Sequence, residues 1–304
     1  MATPDELPTA GRPARLAVGV VSAGRVGAVL GAALARAGHV VVATSGVSAA
    51  SVRRAEELLP GVPLFPPDEV VRLADLVLLA VPDDVLPGLV RGLATAEVFR
   101  AGQIVAHTCG AHGTAVLEPA VRLGVLPLAL HPVMTFTGRP EDVTRLAACS
   151  FGVTAADEPG WSVGEALVVE MAAEPVRVPE DARPLYHAAL AHGANHLAVL
   201  VTDAADVLRR AGIGPAERML GPLLSAALDN ALRHGDRALT GPVSRGDVDT
   251  VRAHLRVLSE RMPELTRAYR ALAERTARRA TAAGLVTAGA TEAVLAALAE
   301  EAGQ

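Results

Sequence analysis

Leu16-Ala17-Val18-Gly19-Val20-Val21-Ser22-Ala23-Gly24-Arg25-Val26-Gly27 is the stretch whose reading decides the fold. An apolar run of strand length enters a glycine-bearing turn, and Val26–Ala37 continues at helical spacing until Gly38 stops it. Working outward, Val40–Ala43, Leu76–Val81, Ile104–His107 and Leu126–Leu130 are further Val/Leu-rich runs bounded by Gly, Pro or polar residues. Ala49–Leu59 and Val85–Leu93 lie between them with helical spacing. Such alternation calls for a parallel sheet covered on both faces. Cys149–Thr154 and Glu174–Val178 flank a helix predicted over Gly164–Ala172 and extend the same sheet. After Pro179 the texture changes: Ala, Leu and Arg recur at helical spacing with breaks at Gly212, Gly241 and Pro263. A boundary is placed near Pro179–Pro184, giving an α/β domain over 15–180 and an all-helical domain over 181–304. Residues 1–14 are expected to be a disordered leader.

The turn reads as GxGxxG with Ser in the first place. Glycines there admit a tight turn and close backbone approach to a pyrophosphate, which then sits on the helix N-terminus. Because the motif follows a first strand and opens a helix, it predicts a doubly wound Rossmann domain whose cofactor loop is Ser22, Ala23, Gly24, Arg25, Val26 and Gly27. The second strand ends Ala43-Thr44-Ser45-Gly46, without the acid that would bind the ribose 2′-hydroxyl of NAD. The hydroxyls of Thr44 and Ser45, with Arg25 or Arg53 and Arg54, are candidates for a 2′-phosphate, so NADP is favoured over NAD or a deazaflavin. Val81 and Pro82 end the next strand at the ligand-binding edge and are expected to border the nicotinamide. Asp83 or Asp84 is read as a helix cap.

Composition narrows the chemistry. The 304 residues include 28 Lys+Arg, all of them Arg, so no lysine Schiff base, phosphate-loop lysine or lysine acid is available. A net charge of −5 and 2% aromatics argue against a nucleic-acid surface. Cys109 and Cys149 lack metal or scaffold spacing and read as free thiols of a cytoplasmic protein. No apolar run reaches the length of a membrane span.

Proton donors are therefore sought among histidines, six of whose nine members fall between 107 and 196. His107 and His131 close neighbouring strands, His107 leading into Thr108-Cys109-Gly110-Ala111-His112-Gly113 and His131 into a polar, glycine-bearing loop. Each is either a proton donor or a core histidine shaping a loop. In the first long helix of the second domain, His192, His196 and Asp203 share a stripe with Asn195 beside it, read as a wall of a substrate cleft. No metal is assigned, since Gly193 stands where a metalloprotease helix needs Glu. Arg245 is a candidate clamp for a substrate carboxylate, and Asp247 a helix N-cap. Wide apolar helical faces in this domain suggest a homodimer.

The order of the cofactor loop, VPDD, HTCGAHG, HPVMTFTG, LYHAALAHGANH, GPLLSAALDN and LTGPVSRGD resembles actinobacterial Rossmann-like proteins whose C-terminal half is a domain of unknown function. That family is similar in architecture to ketopantoate reductases, pyrroline-5-carboxylate reductases and 6-phosphogluconate or 3-hydroxyisobutyrate dehydrogenases. The resemblance implies a helical domain like the C-terminal one of 6-phosphogluconate dehydrogenase and NAD(P)-dependent oxidoreductase chemistry on a small molecule. A ketopantoate-like 2-keto acid is the leading substrate expectation. Those relatives commonly carry a lysine a turn before an Asn on the first long helix; here Asn195 is matched by Ala191 and His192. His192, His131 or His107 would then give the proton, Asn195 orient the carbonyl and His196 and Arg245 bind substrate. The competing expectation is a dimeric nucleotide-binding module without catalysis.

Overall fold

A computed structural model describes residues 15–300. The expected leader, 1–14, lies outside the described residues. The α/β part begins with β1 (Ala17–Val21), α1 (Arg25–Ala37), β2 (Val40–Thr44), α2 (Ala49–Leu58), α3 (Pro67–Leu73) and β3 (Leu76–Leu79). It continues through α4 (Leu86–Thr95), β4 (Ile104–His107), α5 (Glu118–Val121), β5 (Leu126–Pro132), α6 (Pro140–Arg145), β6 (Ser150–Ala155), α7 (Glu158–Glu170) and β7 (Glu174–Arg177).

The seven strands form one sheet in the order β2-β1-β3-β4-β5-β6-β7. The first five are parallel, β6 runs antiparallel to β5, and β7 is parallel to β6. All of the predicted strands exist, and the last two extend the sheet as expected. Buried apolar residues cover both faces: Val20, Leu30, Leu78 and Phe151 belong to one cluster, and Val21, Val77, Leu79 and Val90 to the other. Hence the continuous Val/Leu runs, since a strand buried on both faces loses the polar alternation of a half-exposed one. The short helices α3, α5 and α6 were not among the expected elements, and α7 has a different start. Helix α3, opened by Pro67 at its first position, was not anticipated between Leu59 and Leu76 because its seven residues are too few to establish a period. Helix α7 starts six residues earlier than expected, because Asp157 caps it by accepting the Gly160 N–H at 2.8 Å.

The remaining helices are α8 (Arg183–Arg210), α9 (Ala216–His234), α10 (Pro242–Arg245), α11 (Val248–Arg261), α12 (Pro263–Ala282) and α13 (Ala288–Glu300). The chain divides into two compact units between His192 and Gly193. The second unit has its own core of Val251, Leu255, Ala273, Ala277, Val294 and Leu298. Asp247 caps α11 through the Thr250 N–H at 3.1 Å, as its place after Gly246 predicts. No helix among the described residues is long and apolar enough to cross a membrane.

Candidate functional site

In a sheet ordered 2-1-3-4-5, the strand order reverses between β1 and β3, and ligands gather at the carboxyl ends of strands around that point. The cofactor loop lies there. Ser22 takes the turn with φ +79°, the left-handed region a glycine would occupy without cost, and its N–H is fixed by the Ser45 Oγ at 2.9 Å. Ala23 N–H donates to the Ser45 carbonyl at 2.6 Å, so both backbone donors are spent on the end of β2. Gly24 stands at the N-cap of α1 with no side-chain cap, and the first turn carries no acid. The leading N–H groups of a helix have no partner within it, so this end offers donors and a positive dipole to an anion. Gly27 is required for a different reason: a Cβ there would run into the Ser22 carbonyl oxygen and come within 2.9 Å of Ala80 Cβ. Val26 follows in the first turn of α1.

The end of β2 corrects one expectation. Thr44 is fully buried and its hydroxyl donates to the Val20 carbonyl at 3.0 Å, so it ties two strands together and its hydroxyl proton is already spent. Ser45 holds the loop in the manner described. The guanidinium groups are better placed. Arg54 reaches the Ala23 carbonyl at 3.5 Å, and a Cβ on Gly138 would meet Arg54 Cδ at 2.8 Å and Arg25 Cγ at 2.9 Å. The stems of Arg25 and Arg54 thus converge beside the cofactor loop; Arg53 is exposed on α2.

At the end of β3, Val81 and Pro82 stand at the same edge. The Val81 carbonyl accepts the Cys109 thiol at 3.3 Å. Asp83 or Asp84 was expected to cap α4, yet Val85 is the N-cap and no side chain caps it. Asp83 instead accepts the Ala111 N–H at 3.1 Å, while its carbonyl accepts His112 Nε2–H at 3.1 Å. The β4 loop is thereby tied to β3. Glu180 clamps the same loop farther on, accepting the N–H groups of Thr114 and Ala115 at 2.7 and 3.1 Å.

His107 proves to be a loop-shaping core residue. It is fully buried, its Nε2–H donates to the Gly113 carbonyl at 2.8 Å and its Nδ1 accepts the Cys109 N–H at 3.2 Å. Both ring nitrogens are committed, which removes it as a proton donor. Burial holds its pKa at about 4.

His131, one strand over, is partly exposed and differently partnered. Its Nδ1 lies 2.7 Å from the Tyr186 hydroxyl, with the rings edge-on at 5.6 Å, and His187 stands edge-on at 6.2 Å. Burial first, then the charge of Arg183 and neighbouring His187, push its pKa down to about 4. Gly110 makes the cluster possible: a Cβ there would sit 2.6 Å from His187 Cδ2 and 3.0 Å from His131 Nε2.

Beneath lies Arg183, 1% exposed. Its Nε donates to Thr154 Oγ1 at 2.8 Å and one terminal nitrogen to the carbonyls of Ala129 and Gly152 at 3.1 and 2.9 Å, while the other, equally buried, has no hydrogen-bond partner. No carboxylate among the described residues pairs with it. Sequence reasoning assigned no role to Arg183 or Tyr186. The available signal was that Tyr186, one of two tyrosines in the chain, directly precedes His187.

His192, Asn195 and His196 follow along an exposed stretch of α8, His192 closing the first unit and the other two opening the second. Arg245 is exposed at the last position of α10. The second unit holds an open, mainly apolar cavity of about 420 Å³ between α8, α11 and α12, where His254 Nδ1 meets the Tyr269 hydroxyl at 2.9 Å.

Residues 1–132 match the family model of a Rossmann-like domain, and residues 149–276 that of a domain of unknown function, DUF2520. No curated protein matches the chain. Among solved structures, a candidate NADP oxidoreductase from Bacteroides fragilis is 22% identical with a TM-score of 0.73, over 86% of this chain and 98% of that one. The Aspergillus terreus reductive aminase in complex with NADPH and ethyl levulinate is 16% identical with a TM-score of 0.62, over 87% and 94%. The Plasmodium falciparum pyrroline carboxylate reductase with NADP bound is 11% identical with a TM-score of 0.55, over 93% and 98%. At these identities the likeness is one of fold. The two family matches follow one another along the chain, the second taking in β6, α7 and β7 as well as helices that follow them.

Proposed function

We propose that this protein is an NADP-dependent oxidoreductase that reduces a small carbonyl or imine acid, a ketopantoate-like 2-keto acid being the leading substrate. The observation that carries the reading is the uncapped, acid-free start of α1 behind Gly24 with Arg25 and Arg54 converging at its side. The first suits a diphosphate and the second a 2′-phosphate. NADP or NADPH bound to the structures described above supports the same choice. When bound, the reduced nicotinamide supplies a hydride, and the protein supplies position and a proton. Its own groups toward that end are Val81 and Pro82 at the edge of β3, His131 at the edge of β5, and His192, Asn195 and His196 on α8. Arg245 is the proposed partner of a substrate carboxylate.

A homodimer formed through the helical domain belongs to this reading. Leu197, Val199, Leu200, Met219, Leu223 and Leu232 are exposed on α8 and α9, apolar surface of the kind that marks an interface. Light scattering at a mass of one chain would remove this part. The free thiols accord with a cytoplasmic setting. Calorimetry tests the central claim: NADPH should bind at least tenfold more tightly than NADH, and Arg54→Ala should erase about 1.5 to 3 kcal/mol of that difference while sparing NADH. Equal affinity for the two cofactors, or none for either, would defeat it.

A further inference from the structure

We propose that Tyr186 and His131 form a proton relay ending at His131 Nε2, with the buried Arg183 as the standing positive charge beside the phenol. This rests on the oxidoreductase reading and names the donor it requires.

The relay assigns one direction to this contact. The Tyr186 hydroxyl lies 2.7 Å from His131 Nδ1, and of the two directions this contact admits the relay takes the one in which the phenol O–H donates. With Nδ1 accepting, the neutral imidazole carries its proton on Nε2. Among the described residues Nε2 has no hydrogen-bond partner. It borders Gly110 and His187 at the carboxyl edge of β5, which is parallel to β4, β3 and β1 and therefore shares an edge with the cofactor loop. Three strand spacings of about 4.8 Å separate β1 from β5, about 14 Å along that edge.

Two further positions serve this contact. Gly152 pairs with His131 across the antiparallel β5–β6 ladder, and a Cβ there would collide with the Tyr186 hydroxyl and lie 2.7 Å from Cζ. Only glycine lets the phenol reach across β6. Arg183 lies 5.5 Å from the Tyr186 ring centroid, fully buried, with one nitrogen unpartnered and no carboxylate paired to it. An uncompensated buried cation is costly to fold around. Beside a group that becomes an anion for part of each turnover, it stabilises that state.

The step balances. As the carbonyl carbon gains a C–H bond with the electron pair of the hydride, the C=O π pair moves to oxygen, which takes the Nε2 proton. Nδ1 takes the hydroxyl proton of Tyr186. The phenolate, held by the Arg183 charge, regains a proton from solvent after product leaves. His131 touches the substrate oxygen and is the catalytic residue of this scheme; Tyr186, Gly152 and Arg183 are positioning residues.

The test is nitrogen-15 NMR of the imidazoles in the full chain without ligand, alongside calorimetric titration with NADPH and turnover of a panel of 2-keto acids. The expected result is an Nε2–H tautomer at His131 that Tyr186→Phe converts to a mixture. NADPH affinity should be unchanged in that variant, and kcat lower by about 100-fold with little change in KM. Gly152→Ala, which displaces the phenol without deleting it, should reproduce the tautomer change. An Nδ1–H tautomer in the wild type, or a tautomer indifferent to Tyr186→Phe, overturns the relay. Failure of the wild type to bind NADPH overturns the oxidoreductase reading instead, and because the tautomer is measured without cofactor the two failures are distinguishable.

Discussion

His107 and His131 end neighbouring parallel strands, and burial pushes both to a pKa of about 4. By sequence context and by titration they are twins. One spends both nitrogens on backbone groups of its own loop and is sealed from water; the other gives one nitrogen to a tyrosine and keeps the second at the carboxyl edge of the sheet. The difference teaches that a shifted pKa reports burial, while the hydrogen-bond partners decide whether an imidazole builds a loop or serves a reaction.

The sharpest way to break that contrast is to delete each ring. His107→Ala leaves the Gly113 carbonyl and the Cys109 N–H buried without partners over a cavity, and should cost about 3 to 5 kcal/mol in urea unfolding. His131→Ala should cost about 1 to 2 kcal/mol, retain NADPH affinity and abolish turnover. Equal stability losses would erase the distinction.

Acid is the next lever. Both rings are harder to protonate folded than unfolded, where the ordinary value is 6.5, so the unfolded chain binds more protons below that pH. Stability is therefore full above pH 6.5 and falls as pH drops toward 4, by up to about 1.4 kcal/mol per pH unit for each proton that differs. His107→Gln should flatten the slope of unfolding free energy between pH 6 and 4.5 by about half; an unchanged slope would mean the sealed ring is not the acid-labile one.

Gly110→Ala probes the space between the rings. Its methyl group would press on His187 Cδ2 and His131 Nε2, shifting the second ring while leaving His107 in place. Turnover should fall at least tenfold with a stability change of about 1 to 2 kcal/mol. The smallest effect belongs to Thr44→Val, which removes a buried strand tie worth about 1 kcal/mol and should leave NADPH affinity untouched, setting it apart from Arg54.

Much of this was legible in the residues, and for identifiable reasons. Strands buried on both faces print continuous apolar runs, and a phosphate turn prints its glycines, so the sheet and the Ser22–Gly27 loop could be read directly. Asp247 was equally plain, because capping is a contact over three residues. What stayed hidden depended on distant partners. Thr44 looks like a ligand hydroxyl until Val20 claims it, and Asp83 looks like a cap until Ala111 does. Arg183 and Tyr186 gain their meaning only from Gly152, more than thirty residues upstream, brought beneath them by a strand that runs the other way.

That reversed strand leaves the acid-base chemistry hostage to alignment. The ladder sets Gly152 against His131, flanked by Phe151 and Val153. A slip of one residue, from an insertion in the connection between β5 and β6, would turn every side chain of β6 to its opposite face and bring a bulky neighbour where the phenol must pass. The fold could absorb such an error and the cofactor could still dock, yet protons would stop arriving. Lineages that lengthen this connection should therefore be found to compensate in pairs, so that a glycine stays opposite the histidine.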